Sequence, residues 1–471
     1  MEESTPTDKS LGESHDPAVS RAYAAFMRTG WGDRELDVAP HPITRWSAAR
    51  RERLGAQFAG ERLVIPAGGY KVRANDTDYR FRPDTAHTWL CGNQTSDAVL
   101  VIDSGEATLF ARPRTARDTD EFFRDRQYGE LWAGRRPSLP EITGSLGLPT
   151  RHLDELDDVL AATGKTRVLR GVDARVDSAV SGDEGRDREL AKVLAELRLV
   201  KDEWELAELR GACDTTTLGF QDCVREWDDV LKYGERWIEG TFFRRARAMG
   251  NDIGYDSIVG GGRHATTLHW VENTGPITPG ELVLLDMGAE ATSLYTADVT
   301  RTLPVDGRFT QLQRDLYNLV LDAQTKGIEA VRPGTAFRGA HNAAMVVLAH
   351  GLDDLGLLPV SVDEALDEKS KVYSRWTLHG TSHMLGLDVH DCAGSDPDIY
   401  PKGNLAEGMV LTVEPGLYFQ QDDLLVPEEL RGIGIRIEDD IVVTADGARN
   451  LSAALPRDPD AIEAWMAGLR R

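Results

Sequence analysis

Apolar and polar positions alternate most clearly in the C-terminal half of the chain. In ELVLLDMG, Leu282, Leu284 and Asp286 fall on one face of an extended segment and Val283, Leu285 and Met287 on the other. A short turn around Ala291–Ser293 leads back through YTADVTRTLPV, a second strand pattern, so a hairpin would bring Asp298 towards Asp286. GIGIRIEDDIVVT places Ile433, Ile435 and Ile437 on one face and Arg436 with Glu438 on the other. MVLTVEPGLY sets Thr412 and Glu414 opposite Leu411 and Val413 before Pro415-Gly416 stops the strand. Helical segments are predicted near 203–225 and 235–249 ahead of the Asp-bearing strands, and near 311–331 and 337–356 ahead of the Glu-bearing ones. The result is a rough internal echo, two αα-then-ββ halves.

Upstream the pattern changes. From about 42 to 180, strand-like runs (RLVIPAG, DAVLVIDSG, ATLFA) mix with helical stretches, which reads as an α/β domain. SGDEGRDR, 181–188, is a polar, glycine-bearing linker, and a helix is predicted to open near Leu190 and run past Leu209, broken around Val200–Asp202. The division expected is therefore a disordered acidic tail over 1–20, an N-terminal α/β domain over 42–180, a linker and connecting helix over 181–199, and a larger α+β domain over 200–471.

Composition narrows the classes. At 471 residues the chain is long for one domain, and two are expected. A net charge of −24 argues against nucleic acid and anionic membranes as partners. The four cysteines (Cys91, Cys213, Cys223, Cys392) form no CxxC pair, which favours a reducing, cytoplasmic setting with the thiols buried as small apolar groups. No apolar run reaches the length of a membrane span, and residues 1–20 lack the apolar core of a signal peptide. Outside a secretory route, the N-x-S/T triplets at Asn75, Asn93 and Asn450 are chance matches. The glycines at 260–262 and at 432 and 434 do not continue into a dinucleotide fingerprint.

The chemistry sits in the strands. Asp286, Asp298, His383, Glu414 and Glu438 each lie in a short isolating motif: LLDMGAE, YTADVTRT, HGTSHMLGLDVHD, LTVEPGLY and IRIEDD. Four carboxylates and one imidazole are a hard, oxygen-rich donor set suited to two divalent ions of the Mn²⁺ type, and the two positive ions balance the four negative groups. Carboxylates about 4 Å apart would otherwise repel by roughly 4 kcal/mol per pair at an effective dielectric near 20. Strands this apolar do not leave such anions unpaired. His379 and His383 share the spacing of the zinc-protease signature HExxH, but Gly380 stands where its general-base Glu belongs, so that reading fails. His383 is the expected ligand, and His379 and His390 are expected at the site without binding metal. His269, after a glycine run in GGGRHATTLHW, is a weaker candidate.

These motifs, above all HGTSHMLGLDVHD, EPGLY and RGIGIRIEDDIVVT, resemble the bacterial aminopeptidase P branch of the pita-bread metallopeptidases, from about Arg45 to the C-terminus. The resemblance implies a pita-bread catalytic domain of duplicated ααββ halves, with the metals at their pseudo-twofold, behind a smaller N-terminal domain. It implies Asp286, Asp298, His383, Glu414 and Glu438 as ligands of two Mn²⁺ ions. It implies catalytic roles for Glu414 as proton shuttle and for His269, His379 and His390, and substrate contacts by Tyr418, Arg436 and Asp76. The activity implied is removal of the N-terminal residue from peptides with proline second, by a homodimer or homotetramer. The alternatives are a prolidase, acting on Xaa-Pro dipeptides alone, and a ligand-free binding protein of the same fold, which five intact ligand positions disfavour. Two departures stand out: the Asp286–Asp298 spacing of twelve is one longer than the family pattern, and Thr88 in HTWLCGN replaces an expected aromatic.

Overall fold

The computed structural model describes residues 19–32 and 34–470. Residues 1–18 of the expected tail lie outside that range; Ser20, at its end, caps a short helix, Arg21–Met27. The chain divides into two compact units after Leu194.

The first unit is built on a five-stranded mixed sheet: β1 (Arg62–Pro66), β2 (Val99–Asp103), β3 (Glu106–Ala111), β4 (Thr150–His152) and β5 (Thr166–Val168). The order is β4-β3-β2-β1-β5, antiparallel through the centre with a parallel strand at each edge. The β2–β3 hairpin pairs Asp103 with Glu106 across Ser104 and Gly105, which take φ of 52° and 90°. That left-handed pair matches the twist of the strands, so a two-residue turn suffices. Val64, Val99, Val101, Phe110 and Val168 fill one core beside the sheet. Helix α1 (Thr85–Cys91) is capped by Asp84 and buries His87 completely. His87 Nδ1 lies 2.8 Å from the Ile65 carbonyl and Nε2 lies 3.1 Å from Asn93 Nδ2, so a neutral ring donates at the first nitrogen and accepts at the second.

The predicted linker is largely helix. Helix α2 (Glu184–Arg198) starts six residues before Leu190, because Asp183 accepts from the Gly185 and Arg186 amides as a cap and Glu184 and Asp187 lie at the positive end of the dipole. The break expected near Asp202 is present. Asp202 and Glu205 form a reciprocal capping box that opens helix α3 (Glu203–Arg225).

The second unit has the doubled pattern. Helices α3 and α4 (Glu235–Met249) accompany a three-stranded antiparallel sheet of β6 (Ile258–Gly261), β7 (Leu282–Met287) and β8 (Val299–Pro304), with β7 central. Helices α5 (Gln311–Ala330) and α6 (Gly339–Asp354) accompany a second such sheet, of β9 (Val410–Val413), β12 (Asp439–Thr444) and β13 (Gly447–Asn450), with β12 central. Between them run the paired strands β10 (Gly416–Tyr418) and β11 (Gly434–Arg436). A further helix, Trp227–Tyr233, was not anticipated. The halves are stitched along β8. The Glu438 amide donates to the Thr300 carbonyl at 3.1 Å, and the Arg436 amide to Thr302 Oγ1 at 3.1 Å. Arg301, fully buried, bonds the Glu438 carbonyl and Asp439 Oδ1. Among the described residues no helix is long and apolar enough to cross a membrane.

Candidate metal centre

The carboxylates stand where strands end. Asp286, buried, lies near the end of β7 opposite Thr300 of β8. Asp298 immediately precedes β8, so the two aspartates meet diagonally across the ladder and not as a direct pair. Each Glu-bearing run is interrupted at its ligand, as expected at Pro415-Gly416 and against expectation in GIGIRIEDDIVVT. Glu414 and Pro415 separate β9 from β10, since proline has no N–H for the ladder, and Ile437 and Glu438 separate β11 from β12 where the chain crosses β8. His383 lies in a segment laid along β9. Its carbonyl accepts from the Thr412 amide at 2.9 Å, and the Glu414 amide donates to the Thr381 carbonyl at 2.9 Å.

These elements converge on a cavity of about 530 Å³ whose wall includes all five expected ligands together with His269, His379, His390 and Arg436. Donor atoms of Asp298, His383 and Glu438 lie within 4.8 Å of one another. His383 Nε2 is 3.3 Å from Asp298 Oδ2 and 3.5 Å from Glu414 Oε1. The Tyr255 hydroxyl contacts Asp286 Oδ1 at 2.6 Å and Asp298 Oδ1 at 2.5 Å. A phenol carries one proton and serves one carboxylate at a time, so the other contact needs added positive charge. Arg436, the nearest fixed cation, donates to Asp286 Oδ2 at 2.6 Å. Glu438 accepts from Thr300 Oγ1 at 2.6 Å.

Electrostatics carry the same message. Burial pushes the carboxyls of Asp286 and Glu438 up, and that of Glu414 up to about 7. Burial acts on Asp298 too, but the hydrogen bond and charge of His383 outweigh it and hold that carboxyl low. His383, half-buried, is raised to about 9 by Asp298 and Glu414 against the opposing effect of burial. A proton on His383 thus does for the carboxylates what a cation would do, at the expense of the lone pair a ligand needs. Four carboxyls against one guanidinium and one imidazole leave an anionic surplus, and the donor set fits divalent ions.

The accessory residues separate into wall and support. His269 and His390 line the cavity, His390 edge-on to His383 with centroids 4.4 Å apart. Tyr418 is 2% exposed and is not on the wall; its hydroxyl accepts from Arg436 Nη1 at 3.0 Å and pairs with His379 Nε2 at 2.8 Å. His379, pushed down to about 3 by burial and by Arg436, stays neutral and brings Nδ1 to 2.9 Å from the Gly380 carbonyl and 3.4 Å from Glu414 Oε2. Asp76 belongs to the first unit, where it pairs with Arg126 at 3.2 Å, and Thr88 is buried there in α1.

Three contributors escaped the sequence reading: Tyr255, Thr300 and Asp440. Asp440 is fully buried, its carboxyl pushed well up by burial and by Asp298, and its Oδ2 accepts from the Asp298 amide at 3.1 Å and from the Cys213 thiol at 3.2 Å. The doubled acid in IEDD was the one visible signal. Tyr255 and Thr300 carried none.

Comparison with known proteins places this arrangement. Residues 207–445 match the model of metallopeptidase family M24, and residues 47–169 match the aminopeptidase P N-terminal domain. Xaa-Pro aminopeptidase 1 of Streptomyces coelicolor is 53% identical over 96% of this chain and 94% of its own length. The Xaa-Pro aminopeptidase of Escherichia coli is 34% identical over 90% of this chain and 97% of its own. The structure of Escherichia coli aminopeptidase P with the inhibitor Pro-Leu superposes with a TM-score of 0.79 at 31% identity, covering 93% of this chain and all of that one. With five candidate metal donors lining one cavity, the chain belongs to metallopeptidase family M24.

Proposed function

We propose that the protein is a dinuclear-metal aminopeptidase that releases the N-terminal residue from peptides with proline in second place, with Mn²⁺ as its ions. The observation that carries the reading is the convergence of Asp286, Asp298, His383, Glu414 and Glu438 on one cavity, in a chain 53% identical to a named Xaa-Pro aminopeptidase. The Xaa-Pro bond is a tertiary amide with no N–H, which defeats pockets that recognise an ordinary peptide hydrogen. Two divalent ions held by the five donors would supply a Lewis acid for the scissile carbonyl and a water acidified towards neutrality.

The chain's own groups do the rest. Glu414, beside His383 and His379, takes the proton of the attacking water and delivers it to the prolyl nitrogen as the C–N bond breaks. His269 and His390 on the wall orient the scissile carbonyl and offer N–H donors to the charge that develops on its oxygen. Arg436 and Thr300 fix Asp286 and Glu438, and Tyr418 ties Arg436 to His379, so the donor set keeps its shape as substrate enters.

The test is a side-by-side assay on an Xaa-Pro dipeptide, a longer Xaa-Pro peptide, and the same peptide with alanine second. Efficient cleavage of the longer peptide and poor cleavage of the alanine peptide are expected. Cleavage of the dipeptide alone would make the protein a prolidase. The proposal includes a homodimer or homotetramer in a cytoplasmic setting. Four buried, unpaired cysteines support the setting, and a fully active monomer in light scattering would overturn the assembly.

A further inference from the structure

A second cavity, of about 350 Å³, adjoins the metal centre and shares His379, Gly380 and Ser382 with it. Its lining includes Arg338, His341 and Lys371, and no carboxylate. Arg338 and His341 sit at the start of the sixteen-residue helix α6, whose positive end adds to the field. Arg338 and Lys371 are exposed, and no ion pair holds either of them among the described residues. Three buried polar atoms of this wall lack a hydrogen-bond partner among the described residues: Thr377 Oγ1, Thr381 Oγ1 and His341 Nδ1. Thr377 is 2% exposed and Thr381 fully buried. Buried hydroxyls are seldom left unpaired in folded proteins, so the polar groups of this wall are not fully satisfied from within. Burial holds His341 below its ordinary range, and Arg338 and Lys371 push in the same direction.

We propose that this pocket is a subsite for a carboxylate of the substrate downstream of proline. The inference rests on the aminopeptidase reading above and adds a charge preference to it. Polarity follows from the wall. The peptide's α-ammonium would be repelled by Arg338 and Lys371, so the end that enters is the one beyond the scissile bond. Arg338 and Lys371 supply both the counter-charge and the hydrogen-bond donors for the carboxylate oxygens.

Two carboxylates could fill it, the C-terminus of a short peptide or an acidic side chain, and substrate pairs distinguish them. On the Mn²⁺-loaded full-length enzyme, kcat/KM is measured for Xaa-Pro-Ala as free acid and as amide, and for Xaa-Pro-Glu amide against Xaa-Pro-Gln amide. A preference of roughly tenfold for the charged member of at least one pair is expected, as for one charge-assisted interaction. The first pair assigns the C-terminus and the second the side chain. In the double variant Arg338→Gln/Lys371→Gln that preference should shrink below about twofold, the uncharged member of each pair serving as internal reference. Equal rates for both members of both pairs, or a preference that survives the double variant, would overturn the subsite. If no member of either pair is cleaved, the aminopeptidase reading itself falls.

Discussion

The catalytic unit contains two buried charge clusters of opposite design. At the first, Asp391 stands between Arg198 Nη2 at 3.1 Å and Lys201 Nζ at 3.3 Å, each on its own carboxylate oxygen. Burial would raise the Asp391 carboxyl, but Lys201 and Arg198 outweigh it and hold it low. This cluster supplies its own counter-ions and needs nothing further. At the second, the candidate metal centre, four carboxyls face one guanidinium and one imidazole, and three of the four are pushed up. Buried charge that is balanced from within is structural, whereas buried charge left in surplus is a request for a ligand. The first unit has a third arrangement, in which His87 is buried without charge at all.

The comparison can be broken most severely at the ligands. Asp298→Ala and Glu414→Ala should each lower kcat by on the order of 10³-fold or more, and chelation should abolish activity until Mn²⁺ is restored, with about two ions per chain by metal analysis. In the metal-free protein Glu414→Ala should unfold no more easily than the parent, because it removes a carboxyl that burial pushes up, whereas Asp298→Ala takes a stabilising partner from His383. A large loss of metal-free stability in Glu414→Ala would show that the surplus is not real. Asp391→Ala should behave in the opposite way, leaving Arg198 and Lys201 buried without a partner and costing about 3–5 kcal/mol in urea unfolding.

The uncharged design has a pH signature. His87 is pushed down to about 4 by burial, against an ordinary value of 6.5. The unfolded chain therefore takes up a proton that the folded unit refuses. His87 leaves stability untouched above pH 6.5, and stability declines as pH falls from there towards about 4, by about 3 kcal/mol at most. His87→Gln should flatten that slope in urea unfolding measured across the range; an unchanged slope would assign it to other groups. The smallest effect belongs to His379, which supports Glu414 from beside it: His379→Ala should cost roughly 10- to 100-fold in kcat/KM.

What the sequence conveyed about this site depended on distance along the chain. The four carboxylates were legible because each interrupts an apolar strand pattern, and His383 because its motif HGTSHMLGLDVHD resembles the family's own. The break at Pro415 was legible too, but the one at Glu438 was not, since alternation through 433–444 reads as continuous strand until the crossing at Thr300 is known. Tyr255 reaches Asp286 across 31 positions and Asp440 reaches the Asp298 amide across 142, so no local pattern announces either. Helix α2 was hidden by composition, because polar, glycine-bearing SGDEGRDR matches a linker and also the first turn of a capped helix. Tyr418 was expected on the cleft wall, and its place beneath Arg436 and His379 is a matter of packing that strand periodicity does not encode.

The stitching along β8 has a consequence for descent. The halves are joined there by backbone groups and by Arg301: the Glu438 amide to the Thr300 carbonyl, and the guanidinium to the Glu438 carbonyl and Asp439. None of these bonds uses the Glu438 side chain, which turns into the cavity. A lineage can therefore exchange the carboxylate and keep the joint. Catalysis and architecture are heritable separately in this chain, and a descendant that has lost its chemistry would inherit a folded, cavity-bearing body free to be recruited for binding.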